Sequence, residues 1–349
     1  MSFRLNPLTR RKLQRFRSIK RGYYSFLVLG ALLLAAAFGE LLVNSRALIV
    51  HYQGHTYFPT YTAFHPGTDF GLSYSYETNY RALQQEFEKQ HDGNWVLMPP
   101  VPYNPIENDF RQGVYPPTAP SLAERHFLGT DTTGRDVLAR LFYGFRTAMI
   151  FSLLYMAFVY LLGITIGCAM GYFGGTFDLL TQRLVEIWSN IPFLYIVIIV
   201  ASIVTPNLGW LLAIVVLFSW TGMTYYMRTA TYQEKSRDYV AAAQVMGAGT
   251  GRIIFRHILP NTLSTLVTFI PFTLASAITL LTALDFLGFG LPPPTPSWGE
   301  LLRQGTANLD APWIVASAFA ALVVVLSLVT FIGEAIREAF DPKKFTVYK

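Results

Sequence analysis

Cysteine is almost absent from this sequence of 349 residues: Cys168 stands alone, so no internal disulfide can brace the fold. Charge is scarce as well. Asp, Glu, Lys and Arg make up 14% of the chain, where a soluble domain carries about a quarter, and 52% of the residues are hydrophobic. A conventional water-soluble domain is thereby excluded. No GxxxxGK[ST] run occurs, so the chain binds no ATP through a P-loop of its own. No acidic pair or nucleophile-base set stands out, and none of the 6 histidines falls in a long apolar run, which leaves no materials for a hydrolase at membrane depth. Neither a catalytic residue nor a metal site is expected, no nucleic-acid partner is expected, and no lipidation signal is visible.

What is present is a set of charge-free runs: Gly22 to Gly39, Thr147 to Phe177, Ile187 to Met227, Ile258 to Leu284 and Ala311 to Gly333. A charge at mid-bilayer costs about 2.5–3.5 kcal/mol on insertion scales, so such gaps are what lipid demands. A spanning helix needs roughly 20 residues. Four of the runs fit one crossing each. Ile187 to Met227 is twice as long and is broken at Thr205-Pro206-Asn207-Leu208-Gly209, which predicts two helices and a tight turn. The expected fold is an all-α integral membrane protein with six transmembrane helices.

Orientation follows from the basic residues. Arg4, Arg10, Arg11, Lys12, Arg15, Arg17, Lys20 and Arg21 precede the first span, and the positive-inside rule places them in the cytosol. Six crossings return the tail, with Arg337, Lys343, Lys344 and Lys349, to the same side, together with a loop holding Arg228, Lys235, Arg237, Arg252 and Arg256. The expected parts are a cytoplasmic N-terminus over 1–21, a first helix over 22–43, an extracytoplasmic domain over 44–146, a core of five helices over 147–333 with a cytoplasmic loop at 231–261, and a cytoplasmic tail over 334–349. Ala35-Ala36-Ala37 behind a basic region is also the pattern of a cleaved signal peptide. Against that, the apolar segment is long enough to span, and its removal would put the termini on opposite sides.

The segment from about Asn44 to Arg146 is rich in Tyr, Pro and Asn, so turn and extended chemistry dominates and a small, partly irregular domain is expected. Asn79 to Lys89 is its helix candidate, with Leu83 and Phe87 on one face. His51 and His55 have the i,i+4 spacing of a helical zinc site, but the Tyr-Gln-Gly between them argues for a strand and a turn.

The loop YVAAAQVMGAGTGRIIFRHILPN, Tyr239 to Asn261, is the densest feature. Asp238 is placed to cap a helix over Tyr239 to Met246, and Gly247 supplies a left-handed ending. Ala241, Ala242 and Ala243 offer a smooth surface for the close approach of another protein, Arg252 and Arg256 share a face, and Ile253, Ile254 and Phe255 offer apolar contacts. Pro260 belongs in the first turn of the next span, where a missing amide hydrogen costs nothing. An amphipathic helix lying on anionic lipid would also explain the arginines and the apolar residues. It would not explain three alanines, a glycine four residues later, and His257-Ile258-Leu259-Pro260 after nine more.

That spacing resembles the loop signature of permease subunits of binding-protein-dependent ABC importers: EAA, three residues, Gly, nine residues, I-x-L-P. Ala241 stands where that family often has Glu or Arg, and His257 where it often has Ile. The dipeptide and oligopeptide branch is matched further by His126-Phe127-Leu128-Gly129-Thr130-Asp131 with Gly134-Arg135-Asp136-Val137-Leu138, by Gly171 to Gly175 with Asp178, by Phe286 to Gly290 with Pro293 to Gly299, and by Ala311-Pro312-Trp313. The series runs from about His126 to Pro342. Within that branch, Ile49 to Pro59, Thr68 to Gly71, Asn94 to Leu97, and Leu281 with Asp285 are similar to the Yej-type subgroup, associated with uptake of peptides and microcin C-like antibiotics.

The resemblance implies the type I importer permease fold in a bacterial inner membrane. It implies a second permease chain, ABC ATPase subunits that hold ATP and magnesium, and a periplasmic peptide-binding protein, with no cofactor on this chain. The loop around Asp238 to Pro260 would seat in a groove of the ATPase and move with it. Two other classes were weighed. An ion-coupled secondary transporter with an interfacial loop helix needs ionisable groups deep in the membrane, whereas Glu40, Glu186 and Asp285 all fall near expected span ends. Polar residues within spans, including Ser189, Asn190, Thr221, Thr224, Thr273, Ser276 and Thr279, either line a route or bond neighbouring helices.

Overall fold

The computed structural model describes residues 7–90, 92–110 and 113–340; Arg4, Pro342, Lys343, Lys344 and Lys349 lie outside the described residues. The chain begins with helices α1 (Pro7–Ser18), α2 (Lys20–Ala37) and α3 (Gly39–Leu42). A lobe follows with strands β1 (Ile49–Tyr52) and β2 (His55–Tyr57), a 3-10 turn (Gly67–Phe70), helix α4 (Tyr80–Gln90) and strand β3 (Trp95–Leu97). Then come α5 (Val137–Phe173), α6 (Gly175–Ser189), α7 (Phe193–Ile203), α8 (Leu208–Lys235), α9 (Asp238–Val245), α10 (Thr250–Arg252), a π-turn (Ile253–Ile258), α11 (Leu259–Leu287), α12 (Trp298–Ala307) and α13 (Pro312–Phe340).

Among the described residues, four uninterrupted helices are long and apolar enough to cross a membrane: α5, α8, the continuous segment Thr250–Leu287, and α13. Two bent pairs, each counted as one span, bring the number to 6: α1 with α2, at 95°, and α6 with α7, at 66°. The long run Ile187 to Met227 breaks where expected, with α8 beginning at Leu208 and Asn207 capping it by accepting from the Trp210 amide at 3.0 Å. Its first half differs from expectation. The helix starts at Gly175 and bends at Asn190 to Pro192, because Pro192 has no amide to donate and disfavours helical backbone at Ile191.

Helices also outrun their charge-free runs. α5 begins at Val137 rather than near Thr147 and so contains Arg140 and Arg146; Arg146 Nη1 donates to Glu40 at 2.7 Å, and Arg140 is buried against a carboxylate of α12. Paired charges do not stop a helix, so α5 starts ahead of the charge-free run and within the segment 44–146. In the same way α13 continues through Phe340, past Gly333, and α8 reaches Lys235, which shortens the loop between helices to 236–249.

The most extensive helix pairing is α5 with α8. It rests on Gly163, Gly167 and Gly171, one turn apart on α5. A Cβ at these positions would lie 2.5 Å from Met223 Cβ, 2.6 Å from the Thr224 carbonyl oxygen and 2.5 Å from the Arg228 carbonyl oxygen. With no side chains between them the backbones touch, the arrangement by which helices associate in lipid, where the hydrophobic effect gives no preference. At the end of this seam, Arg228 donates to both oxygens of Asp178 through Nε and Nη2, each at 2.5 Å. A second core packs α2, α5, α11, α12 and α13 around Met149, Ile278, Leu301 and Ile314.

The lobe between α3 and α5 has its own small core. β1 pairs antiparallel with β2 and β3 in the order β2-β1-β3, and α4 lays Tyr80, Leu83 and Phe87 against Val50, Val96 and Phe70. α4 is the helix expected over Asn79 to Lys89. Gln53 and Gly54, at φ 47° and 80°, form the two-residue turn between β1 and β2, so His51 and His55 stand on strands. His51 stacks on Trp95.

The glycine seam yields a test. Gly167→Leu should destabilise the purified chain by about 1–3 kcal/mol through overpacking. Gly222→Leu on the open side of α8, where an added Cβ meets nothing within 4 Å, should leave its melting unchanged. Equal melting of the two variants would contradict the seam.

Candidate functional site

Between α8 and α11 the chain turns back on itself and builds a short surface helix. Arg237, in extended backbone, is the N-cap of α9, and its side chain makes no capping bond; Asp238 is the first helical residue. Asp238 therefore does not cap, contrary to expectation, though a carboxylate in the first turn still complements the helix dipole. The far end is as expected. Gly247 has φ 77°, its amide donates to the Gln244 carbonyl at 2.9 Å, and the Ala248 amide donates to the Ala243 carbonyl at 3.0 Å. This is a Schellman ending, which needs the left-handed residue that glycine supplies.

α9 divides its small residues between two faces. Val240 and Ala243 are buried against Ile253 and Ile258 of the π-turn, with Tyr172 of α5 at the edge. Ala241 and Ala242 face outward, and so do Val245 and Met246, at 88% and 79% exposure. Ala243 thus serves the chain's own packing, not the outer surface, because Val240 and Ala243 are the i,i+3 pair that seats the helix. Ile253 and Ile254 are buried as well, and of the three apolar residues expected to offer contacts only Phe255 is exposed, at 66%. Arg252 and Arg256 are both exposed, and His257 is half-buried.

Pro260 is the second residue of α11, in the first turn as expected, and because the π-turn ends at Ile258, just before Leu259, helical backbone is continuous from Thr250 to Leu287. A proline within a helix removes one donor and crowds the carbonyl four residues before it, and the wider π-turn takes up that conflict. Asn261 Nδ2 donates to the His257 carbonyl at 2.8 Å. α9 is tied to α8 by the Tyr239 hydroxyl, which donates to Glu234 at 2.6 Å, and α8 is tied to α5 by Lys235 Nζ, which donates to the Tyr172 carbonyl at 2.5 Å. Tyr239, Asp238, Ala241, Ala242, Gly247, Arg252, Arg256 and Phe255 therefore form one outer surface on a base packed against α5, α8 and α11.

A second constellation, not foreseen from sequence, gathers buried charge at the opposite end of α5. Asp131 accepts from the Arg135 amide at 3.0 Å and from Arg135 Nε at 2.7 Å. Glu300 of α12 accepts from Arg135 Nη2 at 2.9 Å and from Arg140 Nη2. Two arginines thus face two carboxylates, all buried. Beside them His126 bonds Asp136 at 2.7 Å through Nδ1 and Asp109 at 3.0 Å through Nε2, while Asp136 caps α5 by accepting from the Ala139 amide at 2.7 Å. Burial opposes charge on His126, but the two carboxylates outweigh it and raise its pKa above the ordinary value. The sequence signal for this cluster was the run His126 to Asp131 with Gly134 to Leu138, matched as a motif but given no role, and nothing near it pointed to Glu300. Asp285 is likewise structural: Oδ1 accepts from the Leu291 amide at 2.7 Å and Oδ2 from the Ser297 hydroxyl at 2.5 Å, which pins the loop before α12. Among the described residues no group of three His, Cys, Asp or Glu is placed to hold a metal ion.

Comparison with known proteins adds a family. Residues 163–346 match the family described as binding-protein-dependent transport system inner membrane component. Similar proteins include the inner membrane ABC transporter permease protein YejE of Escherichia coli strain K12, 42% identical over 98% of this chain and 99% of its own length. The peptidoglycan transport system permease protein YejE of Agrobacterium fabrum is 38% identical over 97% of this chain and 94% of its own. The oligopeptide transport system permease protein OppC of Lactococcus lactis strain IL1403 is 34% identical over 64% of this chain and 78% of its own.

The buried cluster can be tested through stability. Glu300→Gln leaves two buried arginines facing one carboxylate and should cost about 3–5 kcal/mol in thermal unfolding; an unchanged melting point would contradict the ion pairing. His126 has a raised folded pKa, so its contribution is complete below the ordinary value of 6.5 and is lost as pH rises through the higher folded pKa. Amide exchange around residues 121–136, corrected for intrinsic rate, should accelerate across that window in the parent chain and stay flat in His126→Gln.

Proposed function

The chain belongs to the family of binding-protein-dependent transport system inner membrane components, and from that premise we propose that it is one of two permease chains in an ATP-driven importer of peptides. It is a multi-pass protein of the inner membrane, a non-catalytic subunit whose ATPase is a separate partner. Peptide as the cargo class is supported by what the names of the similar proteins share, since oligopeptides and peptidoglycan both carry peptide bonds. ATP and magnesium are assigned to the partner ATPase.

The observation that carries this reading is the outer face of α9. Ala241, Ala242, Val245 and Met246 form an exposed apolar strip with small residues at one end, and Arg252 and Arg256 are exposed on the same loop. Such a strip on a loop fits a partner's groove, with the alanines admitting close backbone approach and the larger pair filling a pocket. Its inner face transmits. Val240 and Ala243 are packed on the π-turn, Tyr239 ties the helix to Glu234 of α8, and Lys235 ties α8 to Tyr172 of α5, so a displacement of α9 by the ATPase pulls on α8 and α11 directly and on α5 through α8. The π-turn beside Pro260 is where that pull would bend α11.

The basic helix α1 and the loop bearing α9 are assigned to the cytosol, which puts both termini there and the lobe holding β1 to β3 in the periplasm. The lobe is assigned to docking the binding protein, a role that suits exposed aromatic residues such as Tyr61, Tyr76 and Trp95.

The test is co-purification from the native membrane in mild detergent. Ala242→Trp places bulk on the outer face without touching the buried one, and Gly247→Trp disrupts the left-handed ending. Both should retain the second permease and lose the ATPase by at least tenfold. Retention of the ATPase at parental stoichiometry by Ala242→Trp would overturn the reading.

A further inference from the structure

The polar residues within the spans, which either line a route or bond neighbouring helices, divide in the structure. Thr221 and Thr224 are buried, with Thr224 donating to the Trp220 carbonyl at 3.1 Å. Ser276 and Thr279 of α11 are exposed, Thr273 is half-buried beside them, and the three lie on one side of the helix at i, i+3 and i+6. The outward faces of other spans are different. α2 shows Phe26, Leu27 and Leu34 while burying Ser25, and α13 shows Phe319, Val323 and Val324. Polar groups at membrane depth face a bundle interior or a watered cavity, and apolar ones face lipid.

The hydroxyl face of α11 borders a concavity of about 350 Å³ between α5, α8 and α11, within the usual range of ~300–1,000 Å³ for ligand pockets. Tyr155 and Tyr160 of α5 and Tyr226 of α8 bring phenols to it, and the Tyr160 hydroxyl lies 3.2 Å from Thr273 Oγ1. No Asp, Glu, Lys, Arg or His lines it. Gly222 lies on its wall, and an added Cβ there meets nothing within 4 Å. Phe269 and Phe272 separate the groove from a second hollow, about 800 Å³, where Arg21, Glu334, Arg337 and Glu338 gather.

Resting on the proposed transport function, we infer that this groove is the segment of the peptide pathway contributed by this chain, and that it holds the peptide main chain. The Thr273 and Ser276 hydroxyls spend their protons on the carbonyls of Phe269 and Phe272, at 3.1 and 2.9 Å, which leaves their oxygens as acceptors toward the groove. Such acceptors pair with peptide N–H groups; the Tyr160 proton is taken by Thr273 Oγ1, and the Tyr155 and Tyr226 phenols are left to meet peptide carbonyls, whatever the side chains. A lining without formal charge discriminates by neither sign, and the charged hollow beyond the two phenylalanines is the exit.

The experiment uses the assembled complex in nanodiscs, with Cys168→Ser as the background. A cysteine at Ser276 should react with a cationic, membrane-impermeant methanethiosulfonate at least tenfold faster than one at Val324, the lipid-facing control. Gly222→Trp should slow the Ser276→Cys reaction at least tenfold while the second permease and the ATPase still co-purify, and trialanine at millimolar concentration should slow it where equimolar glycerol does not. Labelling at position 276 no faster than at 324, loss of the second permease in Gly222→Trp, or indifference to trialanine would each overturn the inference. None of these outcomes depends on how Ala242→Trp affects the ATPase, so the two proposals fail separately.

Discussion

The contact on which the rest depends is the bare backbone seam between α5 and α8. In lipid, apolar side chains gain nothing by leaving one hydrocarbon for another, so two spans hold together by close packing. Gly163, Gly167 and Gly171 allow that packing over two turns, and the Arg228 to Asp178 pair closes its end. The seam fixes α8 against α5, and α8 carries α9. Whatever pushes on α9 therefore acts on a pair of helices already locked together, instead of on a loop free to yield.

The other end of α5 is held by electrostatics. Arg135 and Arg140 are out of water, where single charges would be prohibitive, and they are accommodated because Asp131 and Glu300 lie within bonding distance. This ties the start of α5 to α12, while Asp285 ties the end of α11 to the loop that precedes α12. The molecule is thus fastened at the outer end by ion pairs and along α5 and α8 by backbone contact, and the groove beside α11 lies between the two fastenings. The hydroxyl-bearing face of α11 is free of both.

Much of this was legible in the sequence, for reasons that are local. Charge-free runs locate spans because lipid penalises each charge where it stands, and Gly247 announces a left-handed ending because few other residues accept one. The helix of Leu83 and Phe87 shows in its own periodicity. The misreadings arose where the answer depends on a distant partner. Nothing near Arg140 says that Glu300 will meet it, so α5 was expected to start ten residues late by the charge rule. Ala243 looks like Ala242 in sequence, and only the position of Ile253 and Ile258 decides which of them is buried. Val245 and Met246, lying between the signature residues, prove the most exposed apolar pair of the loop, a fact their i,i+4 spacing from Ala241 and Ala242 could have shown.

The central claim is that the outer face of α9 is where an ATPase seats. In a Cys168→Ser background, Val245→Cys and Ala243→Cys differ by two positions on one short helix, the first exposed and the second packed inside the chain. A short thiol-to-thiol cross-linker applied to native membranes should join position 245 to a nucleotide-binding protein and leave position 243 unreacted. A complex that is fully assembled and active, yet gives no adduct at 245, would contradict the account.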